Sequence, residues 1–190
     1  MKRARISSSD QLTGGTKDVN PQHMSGSITL SAANTGTAAT IPLPTVRMAT
    51  KPNTSVLVEL LWLLVDWGNF DLDAAAATDR YFTLSFSTLV PAATPVQVFI
   101  DNPRTIAYAE HYVRNAFTAA GTGILDIQNG PTRYDFTDMA GHGPLVATDN
   151  MYAIASSAGM TAATKISWRW YYRMKEVSLV EYIGIVQSQS

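Results

Sequence analysis

The chain has 190 residues, 46% hydrophobic and only 15% charged, with a net charge of −1 and no cysteine. That length suits one substantial domain, and the missing cysteines exclude disulfides, thiolate catalysis and Cys-ligated zinc. A charged fraction below the roughly 25% usual for soluble domains leaves a lone monomer short of charged surface, so the chain is expected to bury more surface by assembling with others.

The charges are unevenly placed. Lys2, Arg3, Arg5 and Lys17 open the chain and Lys165, Arg169, Arg173 and Lys175 lie near its end, together eight of the fourteen basic residues. Between Asp18 and Ala163, twelve acidic residues stand against six basic ones. This division predicts two surfaces with different electrostatic tasks.

In chain order, Met1-Lys2-Arg3-Ala4-Arg5 is followed by a polar, Gly-rich stretch where a secretory leader would need apolar residues. Residues 1–22 are therefore expected to be an arm on an unprocessed, intracellularly made chain, and residues 23–190 one domain. Strand patterns follow at 27–31, at 40–48 with Pro42 and Pro44 favouring a bent or edge position, and at 55–67. The apolar run from Val56 to Val65, broken only by Glu59, is far short of the ~20 residues of a membrane-spanning helix and reads as a strand buried on both faces. A polar loop over 66–79, with a helical turn at 74–77, precedes an alternating strand at 80–89 and another at 95–101. The stretch 105–117 fits helix or strand. Further strands are expected at 123–128, 145–156, 166–174 and 177–186.

The segment 164–175 alternates most clearly, placing Ile166, Trp168, Trp170, Tyr172 and Met174 on one side and Lys165, Arg169, Tyr171 and Arg173 on the other. Eight or more short strands with Gly/Pro turns, and no alternating long helices, predict an all-β fold: a single jelly-roll β-sandwich of two four-stranded antiparallel sheets. Its core would draw on Phe82, Leu84, Phe86, Trp168 and Trp170.

Enzyme chemistry finds little support. His23, His111 and His142 are far apart and without metal-ligand spacing, His142 reading as a turn residue, and no serine sits in a Gly-x-Ser-x-Gly setting. Asp66, Asp71, Asp73 and Asp79 crowd one loop but lack the spacing of a calcium-binding EF-hand, so a solvated acidic loop is the simpler reading. No catalytic residue, metal site or cofactor is expected. Trp168 and Trp170 could form a sugar-stacking platform, which makes a carbohydrate-binding β-sandwich the rival reading, although their shared face with Ile166 and Met174 favours the core. A cupin-like metalloenzyme is a third reading, opposed by the lack of a histidine cluster. On the opposite face Tyr171 lies between Arg169 and Arg173, offering charges for phosphates and a ring for a base, against the plainer alternative of a polar, solubilising face.

Three stretches carry a resemblance: Ser8-Ser9-Asp10-Gln11-Leu12-Thr13-Gly14-Gly15-Thr16-Lys17-Asp18-Val19-Asn20-Pro21-Gln22, the segment from Thr137 to Asn150 with Gly141-His142-Gly143-Pro144 at its centre, and Val177 to Gln189. They resemble capsid proteins of small circular, replication-initiator-encoding single-stranded DNA (CRESS-DNA) viruses. The resemblance implies a virion protein, made in a host cell, whose copies form an icosahedral shell around circular single-stranded DNA with the arm inside, and it implies no membrane partner. Lys2-Arg3-Ala4-Arg5 is then a short candidate nuclear-import motif. Lys2, Arg3, Arg5, Lys17, Lys165, Arg169, Tyr171, Arg173 and Lys175 are the expected nucleic-acid contacts. Many capsids of this group carry a long arginine-rich arm, and this arm is much less basic.

Overall fold

The computed structural model describes residues 21–31, 36–44, 52–68, 80–91, 101–113, 131–158 and 163–189. Nine strands and one helix fall within them: β1 (Gln22–Leu30), β2 (Gly36–Pro42), β3 (Thr54–Asp66), β4 (Arg80–Ser87), β5 (Thr105–Val113), β6 (Thr132–Asp135), β7 (Leu145–Val146), β8 (Asn150–Ala158), β9 (Thr164–Ser178) and α1 (Leu179–Gln189). The expected strands at 95–101 and 123–128, the second half of the 40–48 segment and the acidic loop beyond Gly68 lie largely outside the described residues.

The pairings are nested. β1 pairs with β9, β2 with β8, β3 with β6 and β7, and β4 with β5, all antiparallel. The chain is thus one long hairpin with β4–β5 innermost, rolled until β9 also meets β3 and β8 also meets β4. This is the jelly roll, with sheet orders β1-β9-β3-β6 and β2-β8-β4-β5. The short β7, added on β3, makes the first sheet five-stranded where four strands were expected.

The core lies between the sheets. Phe82, Leu84 and Phe86 of β4 point inward against Trp168 and Trp170 of β9. Phe86 meets the two indoles edge-on, with centroids 5.7 and 5.1 Å apart, a geometry that sets the ring's positive edge on the indole's negative face. Trp168 is 4% exposed and Trp170 fully buried, so both are core residues and no sugar platform forms there.

Two expectations change. The stretch 105–113 is a strand: Ala107 and Ala109 are buried at period two, and β4 supplies the backbone partners that a sequence window cannot show. The expected strand at 177–186 is instead the end of β9 followed by α1. Ser178-Leu179-Val180-Glu181 is an N-capping sequence, and the Glu181 N–H donates to Ser178 Oγ at 3.2 Å. Tyr182, Ile185 and Val186 then come onto one helical face and pack on Leu57, Ala147 and Val177.

The helix covers the outward face of β3 at Leu57. Its inward residues Val58, Leu60, Leu63 and Val65 join the main core, while its outward Leu57 lies in the α1 cluster. A register shift between Leu60 and Trp62 inserts Leu61 and restores the alternation beyond it. The 138–144 segment crosses here at close range. Leu60 N–H donates to the Pro144 carbonyl at 3.0 Å, and a Cβ on Gly143 would fall 1.7 Å from the Leu60 carbonyl oxygen, so only glycine fits.

Candidate nucleic-acid interface

The expected site residues on β9 face outward from the β1-β9-β3-β6 sheet, but they do not form one surface. They divide at Tyr171.

On the α1 side, Arg173 and Lys175 are committed to Glu59. Glu59 has no solvent exposure although it sits on the outward face of β3. Arg173 Nε donates to Glu59 Oε2, Lys175 Nζ approaches Oε1 at 3.4 Å, and the Gly143 N–H donates to Oε1 at 3.2 Å. Arg173 Nη2 also donates to the Gly141 carbonyl at 2.9 Å and lies 3.2 Å from His142 Nδ1. Burial pushes the Glu59 carboxyl up, but the Arg173 hydrogen bond, the two cationic charges and the Gly143 N–H outweigh it and hold the group below its ordinary value. Donation to Glu59, against partial burial, raises the Arg173 guanidinium. Two of the expected phosphate contacts are thus held within the chain, with Glu59 balancing one of their two charges.

At the dividing line the registers Trp62↔Tyr171 and His23↔Tyr171 set three rings side by side across β3, β9 and β1. Tyr171 stacks on Trp62 with centroids 4.8 Å apart and an interplanar angle of 23°, and His23 stands 6.0 Å from Tyr171 on the next strand. Arg133 of β6 lies 5.1 Å from the Trp62 ring centroid and is paired with Asp135 at 3.2 Å. The ring expected to offer itself to a base is already stacked on a neighbour.

Beyond Tyr171 the face opens. A groove of about 540 Å³ runs across β1, β9 and β3, lined by Ser25, Ser27, Ser167, Leu64 and the buried Trp168 between Lys165 and Arg169, with Asp66 across from Ser167. Among the described residues no carboxylate ion-pairs with Lys165 or Arg169. Asp66 Oδ1 is turned to the Gly68 N–H at 3.1 Å. The expected arm contacts Lys2, Arg3, Arg5 and Lys17 lie outside the described residues. Sequence reasoning missed Glu59, Trp62, Arg133 and the three groove serines. Glu59 carried a signal, as the single acid in a ten-residue apolar run.

The nested pairing defines the class: a jelly roll, an architecture of viral capsid proteins, lectins and cupins. Within it, the chain is similar to polyomavirus capsid proteins. VP1 of Merkel cell polyomavirus, solved as an unassembled pentamer, matches with a TM-score of 0.54 at 10% identity, covering 88% of this chain and 99% of that one. VP1 of trichodysplasia spinulosa-associated polyomavirus, in complex with sialylated glycooligomers, matches with a TM-score of 0.52 at 11% identity, covering 87% and 97%. At such identities the likeness establishes the fold. No protein-family model matches the sequence, and no curated protein does.

Proposed function

We propose that this chain is a viral capsid protein whose copies assemble into a small icosahedral shell enclosing circular single-stranded DNA, as the resemblance to CRESS-DNA virus capsids implies. The observation that carries the reading is the jelly roll itself, closed by the β1–β9 pair and matched over most of the chain by capsid subunits. A chain with few charges and ample apolar residues suits a subunit that hides surface against its copies. The arm expected over residues 1–22, whose last residue Gln22 already belongs to β1, is directed inward, with Lys2, Arg3, Arg5 and Lys17 on the genome, and Lys165 and Arg169 join them from the sheet. The role is structural, in keeping with neighbours that are capsid proteins. The carbohydrate-binding alternative loses its aromatic platform because both β9 tryptophans are buried. Negative-stain electron microscopy of the purified protein, followed by nuclease treatment and extraction, tests the proposal. Closed shells holding nuclease-protected DNA are expected, and a monodisperse monomer under assembly conditions would overturn it.

A further inference from the structure

We propose that the groove between Lys165 and Arg169 is a phosphodiester site that holds the sugar-phosphate backbone of a single strand and leaves the bases unread. The inference rests on the nucleic-acid reading above and specifies which part of the strand is held.

Three features converge on this chemistry. First, Lys165 and Arg169 are the β9 cations left without a carboxylate partner among the described residues, whereas Arg173 and Lys175 are both held by Glu59 under the 138–144 segment. Second, the floor between them carries the hydroxyls of Ser25, Ser27 and Ser167, each able to donate to a phosphate oxygen. The register pairs Arg169 with Ser25, so the two residues lie directly across from each other on neighbouring strands. Third, the outward aromatic residues beside the groove, Trp62 and Tyr171, are stacked on one another, and Trp168, which also lines the groove, is only 4% exposed. A base could reach the Trp62–Tyr171 pair only on its outer faces, where Arg133 already lies 5.1 Å from the Trp62 ring and His23 6.0 Å from Tyr171.

The site charge is small. Lys165 and Arg169 contribute two positive charges and Asp66 one negative, a net of +1. Asp66 is held by Gly68 N–H and does not quench either cation directly, but it repels an incoming phosphate. It therefore sets an upper limit on affinity, and its removal should strengthen binding.

The test uses the purified full-length protein and fluorescence anisotropy with two probes, a labelled oligo-dT and an abasic oligodeoxynucleotide of equal length. The two should bind within about threefold of each other, because a base stacked on a protein ring would be worth tenfold or more. Arg169→Gln with Lys165→Gln should lower the salt slope of oligo-dT binding by about 1.4, at ~0.7 per lost single-strand contact. Asp66→Asn should tighten binding about threefold, the size of an exposed charge effect. Tyr171→Ala should leave affinity unchanged. A tenfold preference for oligo-dT over the abasic probe, an unchanged slope in the double variant, or displacement of the probe by sialyllactose at the groove would each overturn the assignment. Electron microscopy of the same preparation separates the two readings: shells with no oligonucleotide binding sink the groove alone, and binding with no shells sinks the capsid reading.

Discussion

The outward face of β9 holds two regions that share one alternation and have opposite fates. From Arg173 to Val177 the face is covered: Glu59 takes both cations, the 138–144 segment crosses above it, and α1 seals Val177. From Lys165 to Arg169 nothing of the kind crosses among the described residues, and the same pattern of cations remains open over a groove. Charge on a strand therefore stays open to solvent only where no acid from the neighbouring strand pairs with it.

The largest perturbation removes the floor common to both regions. Trp170 is fully buried between Phe86 and Phe136, and Trp170→Ala should cost about 3–5 kcal/mol, the range for a buried large aromatic. Chemical denaturation should show the loss, with soluble assembly failing alongside. A cost below ~1 kcal/mol would mean that the two sheets do not pack through this residue.

Glu59→Gln should convert the covered region toward the open one. The amide can still accept from Gly143 N–H but no longer offers a negative charge to Arg173 and Lys175, so stability should fall by roughly 1–3 kcal/mol at neutral pH. Freed cations should in turn steepen the salt dependence of oligonucleotide binding by up to ~1.4. The pH dependence has a definite sign. Because the folded carboxyl titrates below its ordinary value of 4.5, its contribution is present above that value and is lost as pH falls through the lower folded value. Thermal midpoints of the wild type should converge on those of the variant as pH falls below the ordinary carboxylate range. Parallel curves down to acid would detach the carboxylate from this role.

A smaller effect should follow from loosening the cover. Ser178→Ala removes the acceptor for Glu181 N–H and should cost about 1 kcal/mol, with faster amide exchange confined to α1 and the Leu57–Val177 cluster. Exchange protection unchanged in α1 would show that packing, not the cap, starts the helix.

The smallest expected stability change comes from deleting residues 1–5. That segment has no apolar side chain beyond Met1 and Ala4 to bury, so the thermal midpoint should stay within about a degree. The 260/280 nm absorbance ratio of purified shells should nonetheless fall. An unchanged ratio would place the arm's charges away from the genome.

The strict alternation from Ile166 to Met174 was enough by itself to determine a strand with an indole-rich inner face, because side-chain direction in a strand is local. Phe82, Leu84 and Phe86 were legible as core for the same reason, and the spacing of short strands and turns indicated a β-sandwich. The apolar run after Ser178 suits strand and helix alike until α1 is seen to lie on Leu57 and Val177. What the tertiary structure decided was the partnership of charges. Glu59 and Arg173 are separated by 114 positions and meet only through the β3–β9 pairing, so no local pattern could show that Arg173 is spent and Arg169 is not. Tyr171 likewise looked available for a base until the same pairing set Trp62 against it. Side-chain direction follows from neighbours in sequence, whereas neutralisation and stacking follow from neighbours in space, and in a jelly roll these come from opposite ends of the chain.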